Sequence, residues 1–276
     1  MHEARDRGPD DRWWDAFRQG SFFHEVYRLG DQSLDGWVEG RELDLSQRTR
    51  REAEGVLRLL DPGPSEVILD CPCGYARHSV FFAERGLRVI GVDRCLDYLQ
   101  HPAQSAIPRD TPYLACSDMR SLPLKDNSVT IVLNLVLSFG FFQADEDNLR
   151  VLQEFSRVLA PGGRFLLHTD VNPLRLEDGT YGDRVHRRLP KGGSLIVEES
   201  FDRATRRLHG SWTIHELGGA SRTANYNLRV YWPEEFKAML AQAGLSLLAV
   251  HGGFDSGQEQ FSGTSQEVIH VAAKEC

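Results

Sequence analysis

Between residues 66 and 170 short apolar runs alternate with amphipathic stretches, and this rhythm limits the fold more than any other feature. The runs are "EVILD", "LRVIGVD", "TPYLACSD", "SVTIVLNLV" and "GRFLLHTD". Between them lie "ARHSVFFAERG", closed by Gly86, the short "CLDYLQHPAQ" and the long "ADEDNLRVLQEFSRVL". Apolar strands without polar alternation are buried on both faces, which is the condition of a parallel sheet covered by crossover helices. Right-handed crossovers then wind the sheet both ways and put the functional crevice at the carboxyl ends of the strands. "APGG" reads as a helix stop followed by a tight turn.

After Asp170 the rhythm breaks. Residues 171–193 are rich in Gly, Pro and charge, and three alternating stretches follow: "SLIVEESFD", "RRLHGSWTIHEL" and "SRTANYNLRVYW". They predict an antiparallel meander inserted into the sheet domain. "PEEFKAMLAQAG" starts with Pro233 and stops at Gly244, the usual helix asymmetry, and "LSLLAVHG" and "QEVIHVAAK" supply two final strands. The expectation is an α/β fold: a doubly wound, seven-stranded, mostly parallel sheet with an inserted antiparallel meander. Its parts are an N-terminal helical arm or cap (1–48), a cofactor-binding core (49–170), a lid or interface element (171–232) and the rest of the core sheet (233–276).

Charge removes one class of partner. With 40 acidic against 32 basic residues the net charge is −8, and nucleic acid needs a basic face that no stripe here provides. No apolar run of membrane-spanning length occurs, and "MHEARDRGPDDRWWD" lacks the apolar core of a signal peptide, so a cytoplasmic location is expected. The five cysteines (Cys71, Cys73, Cys95, Cys116 and Cys276) have neither disulfide-framework nor zinc-site spacing, so reduced thiols and no metal are expected.

The first strand-to-helix loop, "DCPCGYA", has only Gly74 for close backbone approach, and Pro72 has no amide to donate. It is a poor cradle for a pyrophosphate. A phosphate-free nucleoside asks less of it. Asp70 ends the first strand and suits an ammonium group; Asp93 ends the second, 23 residues on, and suits ribose hydroxyls. Asp118 follows the third strand and suits an exocyclic amine, with Met119 packing on the ring. Cys73 and Arg94 belong to the same expected pocket as neighbours of Gly74 and Asp93.

These residues resemble the class I S-adenosylmethionine-dependent methyltransferases. "VILDCPCGYARHSVFFAERGLRVIGVD" is similar to their first cofactor motif with its acidic second strand, and "LAPGGR" to their helix-to-strand turn. The resemblance implies a Rossmann-like methyltransferase fold and S-adenosylmethionine as cofactor. Gly74 would meet its methionine part, Asp93 the ribose, Asp118 with Met119 the adenine, and Asn134 the sulfonium end. The chain departs from the family's Gly-x-Gly-x-Gly loop at Pro72 and Ala76. The methyl of Ala76 is expected to narrow the pocket on an unstrained backbone.

Methyl transfer depends mainly on placing the nucleophile and excluding water, so no strong catalytic constellation is required. Ser138, Phe139, Phe141 and Phe142 follow the fourth strand, near the expected methyl position, where the aromatics either shape an acceptor slot or pack a helix. His168 and Asp170 share a strand face and form a candidate base with its orienting acid. His215, with Trp212, Tyr226, Arg229 and Tyr231, lies in the meander, and Tyr27 would close the pocket from the N-terminal side. The acceptor is expected to be a small molecule, methylated on nitrogen or oxygen. Two alternatives stand beside it: a non-methylating reaction in the same pocket, and a non-catalytic partner of a homologous enzyme. The meander leaves homodimer and heterodimer open.

Overall fold

The computed structural model describes residues 37–38, 41–42, 45–100, 112–182, 184–188, 192–255 and 260–275. Tyr27 and most of the expected N-terminal arm lie outside the described residues. Within that arm, β1 (Trp37–Val38) and β2 (Arg41–Glu42) pair as a short antiparallel hairpin. Helix α1 (Leu45–Leu60) follows.

The main sheet has seven strands. They are β3 (Val67–Asp70), β4 (Arg88–Asp93), β5 (Tyr113–Cys116), β6 (Val129–Asn134), β7 (Leu159–Thr169), β12 (Leu245–His251) and β13 (Val268–Lys274). Their order across the sheet is β12-β13-β7-β6-β3-β4-β5. β3 pairs in parallel with both β4 and β6, so the winding direction reverses at β3, where a crevice opens above the strand ends. β13 runs antiparallel to both neighbours.

Helices cover both faces. Ile68 and Leu69 point to opposite sides of β3, as successive strand residues must. On one side, Ile68 joins Ala53, Val56 and Leu60 of α1 and Phe82 of α2 (Arg77–Ala83). On the other, Leu69 joins Val151, Leu152 and Phe155 of α4 (Asp145–Val158) and Phe236 and Leu240 of α6 (Pro233–Gln242). Between these stand α3 (Leu96–Leu99) after β4 and α5 (Pro173–Asp178) after β7.

The sequence reading needs three corrections. "APGG" is no free turn: β7 begins at Leu159, where that residue pairs with Val129, and the next pair is Ile131 with Arg164. The extra residues bulge out of the strand, with Gly162 at φ 73°. The meander has four strands, not three: β8 (Arg184–Arg188), β9 (Ser194–Asp202), β10 (Arg207–His215) and β11 (Ser221–Arg229), ordered β11-β10-β9-β8. "RVHRR" carries too much charge to show an apolar alternation. α5 also lies in the stretch read as loop; Asn172 caps it by accepting from Leu174 N at 2.9 Å.

The meander docks at the carboxyl edge of the sheet. Leu208, Leu228 and Val230 pack with Val171 and Leu176 and with Leu137 and Phe141 of the loop after β6. Arg229 N donates to Gly140 O at 2.8 Å. A Cβ at Gly140 would overlap the Arg229 carbonyl, and its φ is +97°, so glycine alone fits there. Arg207 donates to the carbonyls of Phe142 (3.1 Å) and Gln143 (2.6 Å). Phe139 and Phe142 are buried in the main core, with the Phe139 ring 5.5 Å from Phe236, so these two serve helix packing.

Candidate functional site

The loop after β3 is built on its neighbours. Cys71 N donates to Leu133 O (3.0 Å) and Cys73 N to Val92 O (2.9 Å), which ties it to β6 and β4. Gly74 is left-handed at φ 54°, and its amide donates to Asp93 Oδ2 at 2.8 Å. The other Asp93 oxygen accepts from Cys95 N at 2.7 Å. One carboxylate thus holds the loops after β3 and β4 together. Burial raises its carboxyl above the ordinary range in spite of those amides.

Ala76 departs from the expectation of an unstrained backbone. It sits at φ 58°, ψ 27° with no exposed surface. The loop keeps the left-handed turn that a glycine would supply and carries the side-chain strain with it. Cys73 is buried and its thiol is pushed well up, first by burial and then by Asp70 and Asp93, so it is an inert side chain of this loop.

Asp70 and Asn134 leave polar atoms open between β3 and β6. Asp70 Oδ2 accepts from Ser79 Oγ at 2.6 Å, whereas Oδ1 is buried with no partner. Burial pushes this carboxyl up to about 6. Asn134 Nδ2 donates to Cys71 O at 2.9 Å, and its Oδ1 is likewise buried and unpartnered. Buried acceptors without donors are costly and mark places where a ligand donor fits.

Asp118 is half-buried and gripped by Arg120 through Nη2 (2.8 Å), Nε (3.1 Å) and the backbone amide (2.9 Å). Arg94 Nη1 stands 4.0 Å away. Burial raises the Asp118 carboxyl, but Arg120 outweighs it and holds it below the usual range. Met119 packs on the apolar core beside it. Ser138 Oγ donates to Leu135 O at 2.7 Å and closes the turn after β6.

The structure does not bring His168, Asp170 and His215 together as a catalytic group. The His168 side chain is wholly buried; its Nδ1 accepts from Val136 N (3.3 Å), and the carboxylate facing Nε2 belongs to Glu267, 3.4 Å away. Asp170 lies nearer Arg48, with Oδ2 4.0 Å from its guanidinium, and its Oδ1 is buried without a partner. His215 ends β10 at the tip remote from Arg207, which anchors the other end. Eight residue-to-residue rises along the strand separate them, about 27 Å. Its Nδ1 meets Ser221 Oγ at 2.7 Å in an exposed pair.

Sequence reasoning missed two groups. Glu52 on α1 is fully buried against Arg77 (2.6 Å), Arg48 (2.7 Å) and His78 (2.8 Å). The polar run "SQRTRREAEG" hid an inward acid at helical spacing from Arg48. The second is Glu199 on β9, which accepts from Tyr181 Oη at 3.2 Å and from Tyr226 Oη. Glu199, Gly210 and Tyr226 form one row across β9, β10 and β11. A Cβ at Gly210 would overlap the Tyr226 ring; its absence lets that ring cross to the acid. The row interrupts an apolar face, with Leu208 and Leu228 on one side and Leu195 and Ile214 on the other.

Comparison with known proteins agrees with this fold. Residues 69–167 match a methyltransferase domain family. A Streptomyces cypemycin N-terminal methyltransferase is 26% identical over 217 residues, covering 78% of this chain and 85% of that protein. Among solved structures, the CcbJ methyltransferase of Streptomyces caelestis superposes with TM-score 0.70 at 20% identity, over 83% of this chain and 90% of that one. The S-adenosylmethionine-bound amino pentose methyltransferase CalS10 of Micromonospora echinaspora gives TM-score 0.57 at 20% identity, over 99% and 100%. Fold, strand order and matched domain define a Rossmann-like transferase. The chain carries a methyltransferase domain over residues 69–167 on a fold shared with class I S-adenosylmethionine-dependent methyltransferases, and its cofactor is S-adenosylmethionine.

Among the described residues no helix is long and apolar enough to cross a membrane, and no group of metal-ligating side chains occurs.

Proposed function

We propose that this protein transfers the methyl group of S-adenosylmethionine to the nitrogen of a small-molecule amine, in the cytoplasm, with the meander as the acceptor-binding lid. The observation that carries the choice of nitrogen is Glu199: a mostly buried carboxylate on an apolar face, met by two phenols, with the charge of Asp170 close enough to raise its pKa further. Two acids in one half-buried place favour a cation, and a protonated amine supplies it.

The cofactor residues follow from the open atoms. Asp70 Oδ1 faces the need for an ammonium, Asn134 Oδ1 for a donor near the sulfonium, Asp93 and Gly74 form the ribose and methionine wall, and Asp118, Met119 and Arg94 border the adenine. When bound, the cofactor would supply an electrophilic methyl carbon on a sulfonium for an acceptor nitrogen held against it. Glu199, its carboxyl raised by burial above the ordinary range, is the group suited to take the amine proton and free the lone pair. Tyr181 and Tyr226 keep its oxygens turned inward.

Paired acceptors test the assignment: amines against their hydroxyl isosteres, with mass spectrometry reading the gain of one CH₂ unit. Glu199→Gln is expected to lower kcat/KM for an accepted amine by about a hundredfold, the scale of one general base, with cofactor affinity unchanged. Methylation of the hydroxyl series alone, untouched by the substitution, would assign oxygen instead.

Asp70 adds a pH dependence. Its folded carboxyl lies at about 6, above its ordinary 3.8, so its favourable contribution to stability exists below 3.8 and is lost as pH rises through about 6. Cofactor binding has the opposite sign, because the ammonium of the ligand needs the ionised acid. The affinity for S-adenosylhomocysteine is expected to be flat above pH 7 and to fall roughly tenfold per unit below about 6. Asp70→Asn should flatten that profile; an unchanged profile in the variant would remove Asp70 from the pocket.

A further inference from the structure

Val136 and Leu137, neither of them glycine, hold left-handed backbone at φ 56° and 52°, directly after β6. A β-branched residue there is strained, and such strain persists only where the surroundings over-determine it. His168 makes two of the contacts that do so. Val136 N donates to its Nδ1 at 3.3 Å and Leu137 N to its carbonyl at 3.4 Å. Ser138 Oγ adds bonds to Leu135 O (2.7 Å) and Val136 O (3.3 Å) from within the turn.

The ring is itself held. Its side chain has no exposed surface, and the Phe254 ring lies 4.8 Å away. An Nδ1 that accepts from an amide leaves the imidazole proton on Nε2, and that nitrogen faces Glu267 Oε1 at 3.4 Å. Arg51 of α1 grips Glu267 with two bonds, at 2.7 and 2.6 Å. Burial raises the Glu267 carboxyl, and the bonds from Arg51 and His168 outweigh it, leaving it at about 2. The acid is therefore anionic at neutral pH and selects the Nε2–H tautomer. On the other side, the turn continues to Gly140, whose carbonyl takes the Arg229 amide of the meander at 2.8 Å.

We propose that His168 is a positioning residue: an imidazole, oriented by Glu267 and Arg51, whose Nδ1 pins the left-handed Val136–Leu137 turn and with it the seat of the meander over the crevice. This replaces the role of proton-abstracting base that a histidine at a strand end suggests. Its meaning for turnover rests on the methyl-transfer reading; its geometry does not.

The test uses the full chain with S-adenosylhomocysteine, comparing His168→Leu with His168→Gln, whose side-chain carbonyl can still accept from Val136. In the Leu variant the Val136 and Arg229 amides are expected to exchange with solvent at least about tenfold faster. Turnover of an accepted amine should drop about ten- to a hundredfold, the scale of a small misplacement, while S-adenosylhomocysteine affinity stays within about threefold. The Gln variant should recover most of the amide protection. Unchanged Val136 exchange in His168→Leu, or no recovery in His168→Gln, overturns the proposal. If the Leu variant does not fold, Glu267→Gln keeps the ring and removes the charge that orients it; faster Val136 exchange is again expected, and unchanged exchange again overturns the proposal. A wild-type chain that binds no S-adenosylhomocysteine would sink the methyl-transfer reading alone, leaving the exchange results to judge His168.

Discussion

Replacing Glu52 with Ala is expected to cost about 3–5 kcal/mol of stability, the range for removing one member of a buried ion pair. The side chain has no solvent exposure and takes Arg77, Arg48 and His78 within 2.8 Å. Burial alone would raise its carboxyl; the two arginines outweigh that and hold it well below the ordinary range. His78 is pushed down to about 4, first by burial and then by Arg77, so it stays neutral and cannot replace the lost charge balance. Without Glu52, Arg77 keeps only Thr49 Oγ1 at 2.9 Å among its bonds on α1. The result is buried positive charge between α1 and α2, at the rim of the loop after β3. Chemical denaturation should show the loss directly, and thermal unfolding should fall by roughly 5–15 °C. A loss under 1 kcal/mol would mean that water reaches this cluster.

Asp93→Ala is expected to weaken cofactor binding by about 10²–10³-fold, or 3–4 kcal/mol. The reason lies in two backbone donors rather than in ribose contact alone. Gly74 N and Cys95 N both end on this carboxylate, at 2.8 and 2.7 Å. Each would be left unsatisfied in a buried place at about 1–3 kcal/mol, and both cofactor loops would relax. Asp93→Asn should fall between, because its carbonyl keeps one amide while its NH₂ opposes the other. Equilibrium titration with S-adenosylhomocysteine ranks the three proteins; equal affinities would mean that neither loop shapes the pocket.

Much of this was legible in the sequence because it depends on short-range pattern. The runs through β3, β4, β6 and β7 are apolar enough to be read as buried strands, and Asp70 and Asp93 end β3 and β4 as the pattern predicts. β8 was not legible, since a charged edge strand has no apolar face to alternate. The strain at Ala76 was hidden because a residue name does not state its φ. The partners of buried charges were hidden for a topological reason. Glu267 reaches His168, 99 residues earlier, only because β13 inserts antiparallel beside β7. Asp170, two residues from His168, looked nearer in the chain and is not its partner. Glu199 was hidden within "SLIVEESFD"; strand alternation puts it on the face of Leu195 and Phe201, and the missing side chain of Gly210 lets Tyr226 cross to it.

The central claim is that side-chain carboxylates above the sheet, rather than a phosphate-cupping loop, grip the nucleoside cofactor. Calorimetric titration of the wild-type chain with S-adenosylmethionine at pH 7.5 tests it most directly. The account predicts one site per chain with a dissociation constant in the roughly micromolar range, weakened about 10²–10³-fold in Asp93→Ala. No heat of binding at about millimolar ligand, from a chain shown to be folded, would contradict it.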